Sequence, residues 1–247
     1  MGVTWQSHFA EVIDTKSNGA TEVHVVFDRY DIPNSLKEGT RQKRQGTNRA
    51  VAYNITVDAL IDKFTMEDLL SCNQNKEALA IFLAAQLVEC KKDSQTTYVV
   101  TSEGDCMASN SLPLQHLRSE QEEADTRMLL HALDATQRGA TSIMIQSPDT
   151  DVLVLTLWIY KRLCPDTTVI AGTGGKRRSI PLGPLYEAFG EDLVKALPGF
   201  HAFSGCEQTG TICGKSKVSC WNTLKKAERP ILDTFSSLGT SDTMHLR

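Results

Sequence analysis

A chain of 247 residues with 40% hydrophobic and 23% charged residues has material for a packed core, which excludes a disordered, collagen-like or coiled-coil protein. Its longest apolar run, DVLVLTLWIY at 151–160, is half the ~20 residues of a membrane-spanning helix, so no membrane partner is expected. Net charge is −4, so there is no whole-protein attraction to nucleic acid.

The opening MGVTWQSHFA has neither a basic start nor an apolar h-region, so the expected location is intracellular, nuclear or cytoplasmic, and not secreted. Trp5, Phe9, Val12 and Ile13 are spaced as on one helix face, and Ser17-Asn18-Gly19 stops that helix. Residues 22–28 (EVHVVFD) read as a β-branched strand ending in an acid. A basic stretch follows, with five basic residues and one acid between Lys37 and Arg49, and it reads as an exposed, partly helical loop. Residues 66–70 form a short helix, 76–90 a longer one, and 98–101 a second strand. Residues 102–119 read as a polar loop.

A helix is expected over 121–137, ended by Gly139. Residues 142–147 (SIMIQS) read as a buried strand broken by Pro148. Asp149-Thr150-Asp151 opens the next helix, running to about 163. Residues 168–171 and 178–181 flank Gly172-Thr173-Gly174-Gly175, a hairpin signature with a basic tip at Lys176-Arg177-Arg178. One or two short helices occupy 182–196, an irregular piece begins at Gly205, and the last helix covers 218–227. The expected organisation is one α/β domain over 1–230, a three-layer sandwich around a mostly parallel sheet covered on both faces. Its basic arch spans about 34–60 and its C-terminal basic helix about 214–227. Residues 231–247, Ser/Thr-rich from Thr234 on, are expected to form a frayed tail.

In open α/β sheets, ligands gather at the carboxyl ends of strands. Asp28 ends the first strand, Asp149 and Asp151 follow the strand at 142–147, and Glu122, Glu123 and Asp125 open a helix. Each has an ordinary explanation as a turn former, an N-cap or a first-turn acid. Together they suggest more. Two carboxylates ~5 Å apart repel by roughly 3 kcal/mol at an effective dielectric near 20, so several in one pocket call for a cation. Oxygen ligands without histidine or thiolate select Mg²⁺ or Mn²⁺.

At these residues the sequence resembles the flap-endonuclease branch of the PIN-like nuclease superfamily. That branch has V-F-D-G at a strand end, a basic arch, E-A-E-A at a helix start, D-x-D after the next strand, and L-G-S-D-Y. This chain has, in the same order, Val26-Phe27-Asp28-Arg29, the arch with Leu36-Lys37 and Lys43-Arg44, Glu123-Ala124-Asp125-Thr126, Asp149-Thr150-Asp151, and Phe203-Ser204-Gly205-Cys206-Glu207. The stretches QEEADTRMLLHA, SPDTDVLVL and ALPGFHAFSGCE also resemble a set of animal proteins read as derived from mobile elements. The resemblance spans about residues 20–225. It implies a PIN-like fold and a pair of Mg²⁺ or Mn²⁺ ions held by Asp28, Glu123, Asp125, Asp149, Asp151 and Glu207. It also implies that Lys37 and Arg44 steady the scissile phosphate. Arg41, Lys43, Lys176, Arg177, Lys215 and Lys217 would contact nucleic acid, DNA more than RNA. Two features depart from the family. The first family strand, with its Asp-Gly, is missing, and Glu207 stands where the family has Asp.

The implied activity is a divalent-metal-dependent, structure-selective endo- or exonuclease. The alternative is a catalytically inactive PIN-like module that binds nucleic acid or protein, in a fragment of a longer mobile-element-derived protein. Other motifs carry less. Gly172–Lys176 lacks the Walker spacing and its Ser/Thr. Ser204-Gly205-Cys206 lacks the nucleophile-elbow pattern, and His201 reads as a packed or surface histidine. Trp221 reads as packing before a base-stacking platform. The seven cysteines are scattered with no C-x-x-C pair, which argues against structural zinc and a disulfide framework.

Overall fold

The structure, a computed structural model, describes residues 3–17, 19–30, 32, 51–60, 65–70, 73–205 and 214–238. It is mixed α/β, and it divides into two compact units, Met1–Arg127 and Met128–Arg247. The expected single, mostly parallel sheet is replaced, among the described residues, by two three-stranded sheets. Each combines one parallel and one antiparallel pairing. No helix of the described residues is long and apolar enough to cross a membrane.

In the first unit, helix α1 (Trp5–Lys16) starts at a capping box. The Thr4 hydroxyl accepts the Ser7 amide, and the Ser7 hydroxyl accepts the Thr4 amide, so two orphan donors are satisfied reciprocally. Strand β1 (Glu22–Val26) pairs in parallel with β2 (Thr97–Ser102), from Glu22↔Thr97 to Val26↔Thr101. β2 then turns back through Glu103 and Gly104, both at positive φ, into antiparallel β3 (Asp105–Ala108). This two-residue hairpin lies in the stretch read from sequence as a loop.

Helices α2 (Met66–Leu69) and α3 (Asn73–Cys90) precede β2. Alternation along β2 sends Tyr98 and Val100 to the face covered by Phe9, Ile13, Ala84 and Leu87, and Val99 to the face covered by Leu114 and Leu117. A fully buried valine such as Val99 or Val100 stabilises the fold by roughly 1.5–3 kcal/mol before entropic costs. Buried Asn75 ties the 51–53 segment to α3: its amide oxygen accepts the Tyr53 N–H at 3.0 Å and its amide nitrogen donates to the Val51 carbonyl at 2.8 Å.

The boundary between units falls inside α4 (Ala124–Gln137). In the second unit, β4 (Ser142–Ser147) runs parallel to β5 (Asp166–Ala171), and β6 (Arg178–Pro181) returns antiparallel to β5, as the glycine-rich hairpin signature suggests. Gly172 (φ +83°) is required at that turn, because a Cβ there would lie 2.8 Å from the Lys176 carbonyl oxygen.

Helix α5 (Thr150–Ile159) buries Val152 and Leu157 with Leu129, Ile145, Val169, Leu182 and Val194. Helices α6 (Leu182–Phe189) and α7 (Glu191–Phe203) follow, and α7 continues through Pro198 beyond its expected end. Helix α8 (Lys217–Leu224) is capped by Ser216. Residues 231–237 of the expected tail belong instead to helix α9 (Arg229–Ser237), stacked on α7 through Phe235 against Phe200 and Phe203, while residues 239–247 lie outside the described residues. The two helices approach so closely at Gly199 that a Cβ there would collide with the Phe235 carbonyl.

Candidate functional site

At both acidic strand ends an aspartate accepts a helix N-terminal amide, across 96 residues for Asp28 and within its own turn for Asp149. Asp28 lies two residues beyond β1, and its Oδ1 accepts the backbone N–H of Ala124, the first residue of α4, at 2.8 Å. The neighbouring Arg29 amide donates to the Glu122 carbonyl at 3.0 Å. The Phe27 carbonyl accepts from Arg127 Nη1 at 3.0 Å. These bonds bring the Glu122 and Ala124 backbone to the carboxyl end of β1.

The cation at this strand end is a feature the sequence reading missed. Arg127 is 1% exposed, and among the described residues its Nε and Nη2 have no hydrogen-bond partner. Burial and the nearby positive charge of Arg29 lower its pKa, while Cys106, Glu103 and Asp28 oppose that shift. Asp28 therefore has buried positive charge close by, part of the neutralisation that a metal ion would otherwise supply. The available signal was an arginine in the first helical turn, where acids are favoured.

At the end of β4, the Asp149 amide donates to the Ser147 hydroxyl at 3.1 Å, and Asp149 Oδ1 caps α5 by accepting the Asp151 amide at 2.9 Å. Asp151 Oδ1 lies 2.6 Å from His201 Nε2. His201 Nδ1 lies 3.0 Å from Lys217 Nζ, which also donates to the Gly205 carbonyl at 2.8 Å. His201 is thus neither simply packed nor simply at the surface. It joins an acid fifty residues earlier to a lysine sixteen residues later, a pairing with no periodic signature.

Arg177 donates to the Gln146 side chain, while Lys176 and Lys215 are exposed. Trp221 packs against Phe189 and Phe200 with ring centroids 5.2 and 5.9 Å apart, in keeping with the packing reading. Lys37, Arg41, Lys43, Arg44 and Glu207 lie outside the described residues. Among the described residues, no three His, Cys, Asp or Glu side chains are grouped so as to hold a metal ion. Compared with known protein families, curated proteins and solved structures, the chain matches none. The carboxylates at each strand end are of the donor type that suits a hard cation.

Proposed function

We propose that the chain is a divalent-metal-dependent nuclease acting on structured DNA, with a PIN-like three-layer arrangement. The observation that carries this reading is that Asp28 and Asp149 each stand two residues beyond a parallel-paired strand, each fixed by a helix N-terminal amide. Strand carboxyl ends are where α/β sheets bind ligands. The ordered sequence motifs add support. Mg²⁺ or Mn²⁺ would supply an activated water and charge neutralisation at the phosphate. The candidate ligands are Asp28, Glu123, Asp125, Asp149, Asp151 and Glu207. Lys37 and Arg44 would bind the phosphate that is cleaved, and Arg41, Lys43, Lys176, Arg177 and Lys215 would hold flanking backbone.

A second reading is a nucleic-acid-binding module without turnover. It is favoured by the lack of any three-ligand group among the described residues and by the positive charge of Arg127 near Asp28. The two readings separate when the full chain is incubated with flapped, nicked and hairpin DNA, and with the matching RNA, in Mg²⁺ or Mn²⁺. Metal-dependent cleavage lost in Asp149→Asn supports the nuclease. Salt-sensitive binding without cleavage, unchanged in Asp149→Asn, supports the inactive module.

A further inference from the structure

We propose that Ser179 accepts a phosphoryl group from an arginine-directed serine/threonine kinase, and that the attached phosphate draws the Arg177 guanidinium away from Gln146. The proposal goes beyond the nuclease reading and does not depend on it.

The segment has the charge that such a kinase selects. Lys176, Arg177 and Arg178 stand immediately before Ser179, and Ile180 follows it. No acid occurs between Asp166 and Glu187, so the run is uniformly cationic. An acidic substrate cleft recognises such a run by charge complementarity. Thr173, at the other side of the same turn, follows Ile170-Ala171-Gly172 and has no cation in the three residues before it.

The segment also has the shape. Residues 173–179 are all exposed. Among the described residues, β6 is the edge strand of its sheet, so Ser179 is already in the extended conformation in which a kinase cleft takes its substrate. Four residue pairs hold β6 to β5, and Pro181, in one of them, has no amide to donate.

Sheet register provides the partner for the phosphate. Gln146 pairs with Ile170, and Ile170 pairs with Ser179, so the three side chains form a row on one face. Arg177, extended at φ −64° and ψ 131°, stands two residues before Ser179 and donates to the Gln146 side chain in that row. Two residues of strand span about 6.5 Å, within the reach of an arginine side chain. A phosphoserine carries about −1.5 to −2 charges and accepts a guanidinium through two parallel bonds, so it is a stronger partner than a neutral amide oxygen.

In the transfer step, Ser179 Oγ attacks the γ-phosphorus of ATP. An Oγ–P bond forms as the bond to the bridging oxygen of the departing ADP breaks, and the hydroxyl proton passes to a carboxylate of the kinase.

The test incubates the folded full chain with ATP, Mg²⁺ and the catalytic subunit of cyclic-AMP-dependent protein kinase, and locates the phosphate by mass spectrometry. Phosphate at Ser179 is expected, lost in Ser179→Ala, with kcat/KM about tenfold or more lower for Arg177→Gln. No incorporation into the folded wild type, incorporation at Thr173 in place of Ser179, or an Arg177→Gln as good a substrate as wild type overturns the acceptor assignment. For the capture, wild type and Arg177→Gln are each phosphorylated to completion and titrated by ³¹P NMR. The phosphate midpoint should lie about 0.2–0.7 pH units lower in wild type, the value of an exposed ion pair. The Gln146 side-chain amide resonances should shift when the wild type is phosphorylated. Equal midpoints, or unmoved Gln146 resonances, overturn the capture by Arg177.

Discussion

The carboxyl ends of β1 and β4 use one backbone device and surround it differently. At each, an aspartate two residues past a parallel-paired strand accepts a helix N-terminal amide. At the end of β1, the neighbour is a buried arginine with two nitrogens lacking hydrogen-bond partners among the described residues. At the end of β4, the neighbours are a histidine and a lysine linked to Asp151 in a hydrogen-bonded chain. A capped aspartate is therefore a placement and not yet a role. The partners decide whether its charge is neutralised by the protein or held for a ligand.

The largest expected effect is on cleavage. Asp28→Asn and Asp149→Asn should each keep their cap, because asparagine caps as well as aspartate, and under the proposed nuclease reading should each lose about 100-fold or more in kcat/KM as a proposed metal ligand is removed. If only Asp149→Asn loses activity, Arg127 has taken the place of metal charge at β1, and the two ends differ in function as well as in neighbours.

Next in size are substitutions at Arg127. Arg127→Ala should destabilise by about 2–5 kcal/mol, as a large buried side chain leaves a cavity. Arg127→Met fills the space without a buried charge and should be near neutral or stabilising. Urea unfolding of both variants checks this, and an Arg127→Met as damaging as Arg127→Ala would show that the charge itself holds the β1 end together.

Smaller still is the capping effect alone. Asp28→Ala and Asp149→Ala should each cost about 0.5–2 kcal/mol of stability while the asparagine variants cost little, as read by thermal or urea melts.

The smallest effect is a pH dependence in the first unit. Burial would raise the Asp14 carboxyl, but hydrogen bonds from Lys91 and Tyr98 and the Lys91 charge outweigh it and lower its pKa. That contribution is present above the ordinary carboxylate range and is lost as pH falls through the lowered value. Burial opposes the charged form of Lys91, yet its bond to Asp14 raises its pKa, so its contribution holds below the ordinary lysine value and fades as pH rises through the raised one. Asp14→Asn should flatten both limbs of the stability–pH curve, and an unchanged curve would place the pH sensitivity elsewhere.

The sequence made the strand at 142–147 legible to the residue, because its β-branched run is bounded by a turn and by Pro148. It located Asp149 as both N-cap and candidate ligand, since the cap chemistry is local. It missed β3, although Glu103-Gly104 is a two-residue hairpin turn, because residues 105–108 carry little apolar alternation. It took α9 for a tail because serines and threonines diluted the spacing of Leu232 and Phe235. The partner that makes that helix, the close approach at Gly199, lies thirty residues away. His201 and Arg127 were illegible for the same reason: hydrogen bonds to Asp151 and to the Phe27 carbonyl follow from the folded chain and leave no periodic trace.

The most direct test of the proposed chemistry is Mn²⁺ titration of the full-length chain, followed by electron paramagnetic resonance, in the wild type and in Asp28→Ala and Asp149→Ala. Saturable binding that weakens sharply in both variants is the expected result. No saturable binding by the folded wild type, or binding indifferent to both substitutions, would contradict a metal-dependent nuclease.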